Sequence, residues 1–260
     1  ERWRPEPTRV AAVLPRGLRA QLVAWILQTF DVLGLDDALV HGIALTVDRF
    51  CASQDCALPQ SSLECLLLSA ACTEFKTDGF SEMPDGTWKR ILVHMSQGRV
   101  PLLRILQFEC ELLRRLQFQV GLPTPMTFLR SLGIRMRQEE QALQWLGLAS
   151  FLLELALLDP VLQHSYPHAY LAAGALGGAL RVLEAPSQQR EALLEDVATC
   201  WPVPGLWTSD ELVALCEQEL LQFWADCSAG VSEFQSHFPR LEAKCRSSEA
   251  RRGAPLPSPS

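Results

Sequence analysis

Apolar residues recur along most of this chain at spacings of three and four, the period of a helix, and alternation at spacing two is nearly absent. Leu18, Leu22, Trp25 and Ile26 predict the apolar stripe of a first helix over about 17–34. Asp36-Asp37 supplies a cap and favourable first-turn charge for a second helix running through Phe50. Pro59 opens a third, through about Phe75. Residues 76–87, KTDGFSEMPDGT, read as a loop, with no strand pattern around Asp85-Gly86. A short helix near 88–97 and a longer one at 101–118 complete five.

Pro123-Thr124-Pro125 interrupts the pattern, because the residue before a proline is pushed out of the helical region. A second block follows, at about 125–134, 138–158, 167–184, 189–198 and 209–227. No strict short repeat recurs, which disfavours a solenoid. Periodicity fades from about Ser228, and the ending RSSEARRGAPLPSPS is expected to be disordered. The chain is therefore expected to be all-α, with a leader at 1–15, helical blocks at 16–120 and 121–228, and a disordered tail at 229–260.

Composition narrows the function. Apolar residues make up 48% and charged residues 20%, a globular balance that excludes wholesale disorder. The net charge of −7 disfavours nucleic-acid binding, which relies on Lys and Arg neutralising phosphates. Nine cysteines, an odd number with several inside apolar runs, read as free thiols in a reducing compartment. The opening ERWRPEPTRV has no apolar signal core, and no apolar run reaches the roughly 20 residues that cross a bilayer. A soluble intracellular chain, bound neither to nucleic acid nor to membrane, is expected.

Catalytic signatures are missing. There is no G-x-G-x-x-G, no G-x-x-x-x-G-K-[ST], no G-x-S-x-G elbow, no H-E-x-x-H and no C-x-x-C. Cys51 and Cys56 lie five apart with His41 upstream, but no fourth ligand stands at a usual spacing. His164 and His168 are four apart with Pro167 between them, and are expected to be surface or turn residues. No metal or cofactor is expected. Glu139-Glu140 and Glu195-Asp196 read as solvated helix faces. Arg240, Lys244, Arg246, Arg251 and Arg252 form a modest basic cluster in the tail, and Ser258-Pro259 is a weak proline-directed phosphorylation candidate.

Several short segments, taken in order, resemble the cyclin family over roughly 16–225. Arg19-Ala20 with Leu22 and Trp25 resembles the opening helix of a first cyclin box, and Asp48-Arg49-Phe50 the end of its second. Glu109 and Phe118 fit the fifth helix. Phe151-Leu152-Leu153-Glu154-Leu155, Tyr166-Pro167, the alanine-rich 169–179, Trp201-Pro202 and the helix from Asp210 fit a second box, with A- and B-type cyclins aligning best. The resemblance implies two tandem five-helix cyclin boxes and a regulatory subunit, not an enzyme. It would bind and activate a cyclin-dependent serine/threonine kinase in cell-cycle control, in nucleus and cytoplasm.

The family pattern assigns roles to particular residues. Arg19 and Asp48 would pair across the first two helices as scaffold, since a buried charge persists only when paired. The kinase-binding face would come from the third and fifth helices, where the family places a Lys and a Glu. Glu109, Leu113, Phe118 and Val120 fit the fifth-helix half, with the Glu109 carboxylate expected to be presented outward. The plain alternative is that Leu113 and Phe118 are core. On the third helix Cys72 stands where the Lys belongs, beside Ser69 and Thr73, and Lys76 lies one turn on, within reach if the helix extends. A thiol cannot replace an ammonium donor, a loss of about 1.5–3 kcal/mol. Weaker or altered kinase selectivity is the expectation.

A substrate-docking groove for Arg-x-Leu peptides would use Leu18, Gln21, Leu22, Trp25 and Gln60. Gln21, Gln28 and Pro59 depart from the family pattern there, so docking patch and plain core both stay open. Two other functions also stand: a cyclin-fold scaffold or transcription adaptor without kinase activation, which Cys72 favours, and an α-helical enzyme whose site no motif reveals.

Overall fold

The computed structural model describes residues 3–77, 86–136, 141–202, 208–239 and 241–243. Among these residues it contains helices and connecting turns without strands, and it divides into two compact units, Glu1–Leu122 and Pro123–Ser260.

The first unit holds α1 (Pro7–Val13), α2 (Arg16–Leu33), α3 (Asp37–Ala52), α4 (Gln60–Thr77), α5 (Thr87–Met95) and α6 (Leu102–Arg115). Asp36 caps α3, accepting from the Ala38 N–H at 3.0 Å. Gly34 closes α2 in the left-handed conformation, with φ of 63°. The central element is α4, which packs most extensively on α6 and also on α3. Small side chains let α6 come close, and the Ser69 hydroxyl donates to the Ile105 carbonyl at 2.8 Å.

The second unit holds α7 (Pro125–Met136), α8 (Ala142–Ala156), α9 (Pro160–Ser165), α10 (His168–Val182), α11 (Ser187–Cys200) and α12 (Ser209–Ser228). Thr124 and Thr127 cap the start of α7, and a Thr208–Glu211 capping box opens α12. Every residue from His168 to Leu180 is buried, and α10 packs most heavily on α12. A Cβ at Gly174 would lie 2.4 Å from the Cys216 Cβ and 2.8 Å from the Glu217 backbone nitrogen. Glycine there sets the α10–α12 approach, the counterpart of the α4–α6 approach in the first unit.

Among the described residues, each unit thus has five principal helices plus one short helix that the periodicity does not reveal. Helices α1 and α9 have seven and six residues, too few to display a stripe, and both begin with a proline. The buried face of α2 also differs from expectation. It is Arg19, Ala20, Val23, Ile26, Leu27 and Phe30, while Leu18, Leu22 and Trp25 flank it half-buried. Packed chain continues past Ser228 as well: Phe234, Phe238 and Leu241 are buried, with Phe238 against Phe151 and Phe234 against Phe223. Three apolar residues separated by polar ones were too sparse to read as an element. Of the expected basic cluster, all five residues lie outside the described residues, as do Ser258-Pro259 and Glu139-Glu140.

His164 and His168 are buried, not superficial, with ring centroids 5.9 Å apart. Pro167 is the N-cap of α10, so the proline starts a helix at the histidine pair and does not push it to the surface. His168 Nδ1 lies 3.2 Å from the Pro123 carbonyl. No single helix among the described residues is long and apolar enough to cross a membrane.

Candidate functional site

The candidate site lies where α4 and α6 end in the first unit. Helix α4 runs two residues beyond Phe75, which carries Lys76 to the Glu109 carboxylate on α6. Its ammonium donates to Oε2 at 2.6 Å and to Oε1 at 2.8 Å. The Thr73 hydroxyl lies 3.4 Å from Oε1. Trp88, on α5, sits under the same ammonium at 4.9 Å from ring centroid to Nζ, so Lys76 is held between a carboxylate and an aromatic face. Burial alone would lower the Lys76 pKa, but hydrogen bonding to Glu109 and the charges around it hold it above its ordinary value. Thus Lys76, one turn after Cys72, supplies the cation that position 72 lacks.

Glu109 itself corrects the expectation of an outward carboxylate. It is 5% exposed and turned into its own unit, while the Lys76 side chain is 40% exposed. The reason is the close α4–α6 packing, which places residue 109 over the small side chains of α4. Cys72, Ser69 and Thr73 are interior too, and none of the three faces solvent. Thr73 returns its hydroxyl to the Ser69 carbonyl at 3.1 Å. Burial, then Glu109, pushes the Cys72 thiol up to about 12. These residues shape the site from behind; they do not form its face.

The exposed part is apolar. Leu103 is 67% exposed, Leu106 and Leu113 are half-buried and Cys110 is exposed. Their spacing of three, four and three puts them in one stripe along α6, beside the buried stripe of Ile105, Phe108, Leu112 and Leu116. Leu103, Leu106 and Cys110 are absent from the residues expected at this face, although their spacing is legible, because the helix carries two apolar stripes.

Beyond α6 the chain turns sharply. Gln117 and Phe118 both adopt left-handed backbone, with φ of 52° and 58°, and the Phe118 N–H returns to the Leu113 carbonyl at 2.8 Å. Two adjacent non-glycine residues in this region cost about 1–3 kcal/mol each. The result is a Phe118 ring 69% exposed, followed by half-buried Val120. The alternative that Phe118 is core is excluded, and Leu113 sits at the edge of the core.

Arg19 and Asp48 form a buried bidentate pair, Nε to Oδ1 at 2.7 Å and Nη2 to Oδ2 at 2.6 Å. It joins α2 to α3 as scaffold. On the flank of α2, Leu18, Leu22 and Trp25 are half-buried and Gln21 is exposed, as is Gln60 at the start of α4. The apolar members of the expected groove are therefore not plain core.

Two further buried carboxylates were missed from sequence. Glu74 accepts from the Thr46 hydroxyl at 2.7 Å beneath Gly42, where a Cβ would meet Glu74 Oε2 at 2.4 Å. On α12, Glu217 is held by Arg190 at 2.8 Å and Arg181 at 3.1 Å. Asp196 lies on an exposed helix face, as expected, and there pairs with Arg135 at 2.5 Å. No group of three or more His, Cys, Asp or Glu among the described residues is arranged to hold a metal ion.

Comparison with known proteins points to one family. The model of the cyclin C-terminal domain matches residues 123–220, within the second unit. Cyclin-B1 of Oryzias luzonensis is 28% identical over 168 residues, 65% of this chain and 39% of that protein. The chain resembles the cyclin family, most directly over residues 123–220. Cyclin-B2-2 of Arabidopsis thaliana is 29% identical over 61% of this chain and 35% of its own length. The chain spans about two-fifths of the length of the curated relatives it matches. Among solved structures, a viral cyclin from Herpesvirus saimiri has a TM-score of 0.63 over 81% of this chain and 87% of its own, at 16% identity. A chain in the CAK complex from Chaetomium thermophilum bound to ATP-gamma-S has a TM-score of 0.56 over 92% of this chain and 76% of its own, also at 16% identity. Both likenesses concern the fold.

Proposed function

We propose that this chain is a regulatory subunit that binds a cyclin-dependent serine/threonine kinase through the exposed face of α6 and the turn after it. The observation that carries the reading is the apolar strip Leu103–Leu106–Cys110–Leu113–Phe118, whose two ends, Leu103 and Phe118, are 67% and 69% exposed. Resemblance to the cyclin family and the fold neighbour from the CAK complex support a kinase as the partner. Apolar side chains would supply most of the affinity, with Phe118 as an aromatic anchor. Lys76, fixed by Glu109 and Trp88, offers a half-exposed ammonium at the strip's edge for backbone carbonyls of the partner.

Binding would favour the active arrangement of the kinase, in which its αC Glu pairs with the catalytic Lys, by contacting that arrangement more strongly than the inactive one. The chain would contribute no catalytic group. A cell-cycle role in nucleus and cytoplasm fits this reading, and Arg-x-Leu peptides would dock on Leu18, Leu22 and Trp25.

A second reading, a cyclin-fold scaffold without kinase activation, is favoured by the interior position of Glu109, whose carboxylate is already satisfied by Lys76. The test is a kinase assay on the purified complex. Phosphorylation at least tenfold above the isolated kinase supports the proposal, and a stable complex without stimulation supports the scaffold.

A further inference from the structure

Beside the turn that follows α6, four arginines converge on one recess of the first unit. Its volume is about 400 Å³, and its walls come from three separate segments. The opening segment contributes Trp3, Arg4 and Arg9, the end of α3 contributes Arg49, and the end of α6 contributes Arg115. A single carboxylate, Glu6, lines it. In a chain of net charge −7 this is a pronounced local reversal of sign.

Helix electrostatics explain part of the cluster. Arg49 and Arg115 lie in the last turns of α3 and α6, where cations complement the helix dipole. Arg49 also donates to the Gln119 carbonyl, so it shapes the recess wall. That account does not reach Arg4 and Arg9, which come from before α1 and from within it. Arg9 and Arg115 are exposed, and neither makes an ion pair or hydrogen bond with a carboxylate among the described residues.

We infer that this recess binds a phosphorylated serine or threonine side chain in a peptide. Guanidinium groups from different directions match a phosphate dianion, which accepts paired N–H donors and draws more strongly than a carboxylate. The volume admits one phosphorylated side chain and a neighbouring residue, and Trp3 gives the neighbour an apolar surface. The site shares the turn after α6, through Gln117 and Gln119, but none of the apolar residues of the α6 strip, and it does not require that a kinase bind there.

The test uses the full chain and a fluorescein-labelled degenerate peptide, Ala-x-x-x-phosphoSer-x-x-x-Ala, read by anisotropy against its unphosphorylated counterpart and against competing inorganic phosphate. The phosphorylated mixture is expected to bind at least tenfold more tightly than the unphosphorylated one. The Arg9→Gln/Arg115→Gln double variant is expected to lose at least tenfold of that affinity with an unchanged thermal melt, since both side chains are exposed. Equal binding of the two mixtures, or binding unaffected by the double variant, would overturn the inference. Inorganic phosphate competing at the same concentration as the peptide would also overturn it, by showing a site for a free anion only.

Discussion

Replacing Lys76 with methionine removes the cation from a carboxylate that cannot turn to water. Glu109 is 5% exposed and would keep the Thr73 hydroxyl at 3.4 Å as its remaining oxygen partner. Breaking a fully buried pair by removing one partner costs about 3–5 kcal/mol, and an exposed pair contributes about 0–1 kcal/mol. Lys76 is 40% exposed, so water reaches part of the space it leaves, and an intermediate loss of about 2 kcal/mol is expected. For a chain of this size that lowers Tm by about 4–8 °C. Differential scanning fluorimetry at pH 7 reads the shift directly. The Lys76→Met/Glu109→Gln double variant should melt above Lys76→Met alone, because the uncompensated charge is gone. The contribution of Lys76 also has a defined pH window. Its folded-state pKa is raised, so the stabilisation is fully present below the unfolded value of about 10.4 and is lost as pH rises through the folded value. A Lys76→Met melt within about a degree of wild type, or a double variant less stable than the single, would refute the argument.

Other substitutions test other parts of the structure. In the folded chain at pH 8.5, iodoacetamide should label exposed Cys56 and Cys110 and spare Cys72, whose thiol is pushed up to about 12; peptide mass spectrometry reads this. Gly174→Ala drives a methyl into Cys216 and the α12 backbone, and should cost about 2–3 kcal/mol in chemical denaturation. Gly177→Ala, whose nearest contact is 3.1 Å to the Glu217 carboxylate tip, should cost about 1 kcal/mol or less. Asp48→Asn leaves the Arg19 guanidinium buried without its anion, and should destabilise by about 3–5 kcal/mol in the same assay.

The order of the long helices was legible because each buries one face and announces it at spacings of three and four. What escaped was short or doubly patterned. Helices α1 and α9 are shorter than two apolar repeats. Helix α6 carries two adjacent stripes, and periodicity alone does not say which one the chain's own core uses. On α2 the core face keeps the expected Ile26 but takes Arg19, Val23 and Leu27 in place of Leu18, Leu22 and Trp25, which flank it. Periodicity alone reads Arg19 as polar; its pairing with Asp48, 29 residues away, came from the family resemblance.

The site was half legible. Its residue numbers came from family resemblance, but the roles of Glu109 and Lys76 depended on how far α4 extends. Extending to Thr77 turned an expected outward carboxylate into an internal clamp on Lys76. It also changed the informative variant. Glu109→Ala would remove an internal partner and disturb folding, so a loss of binding there could not be assigned to contact. Phe118 has no such double role, since its ring is 69% exposed and its truncation should change stability by less than about 0.5 kcal/mol.

The most direct measurement is therefore recovery of a kinase by the purified chain, wild type against Phe118→Ala/Leu103→Ser, with bound proteins identified by mass spectrometry and Tm recorded alongside. A cyclin-dependent kinase bound to wild type and reduced at least tenfold in the variant, at unchanged Tm, is the expected result. Equal recovery by both proteins, or no such kinase with either, would contradict the claim that this face of α6 is a kinase-binding surface.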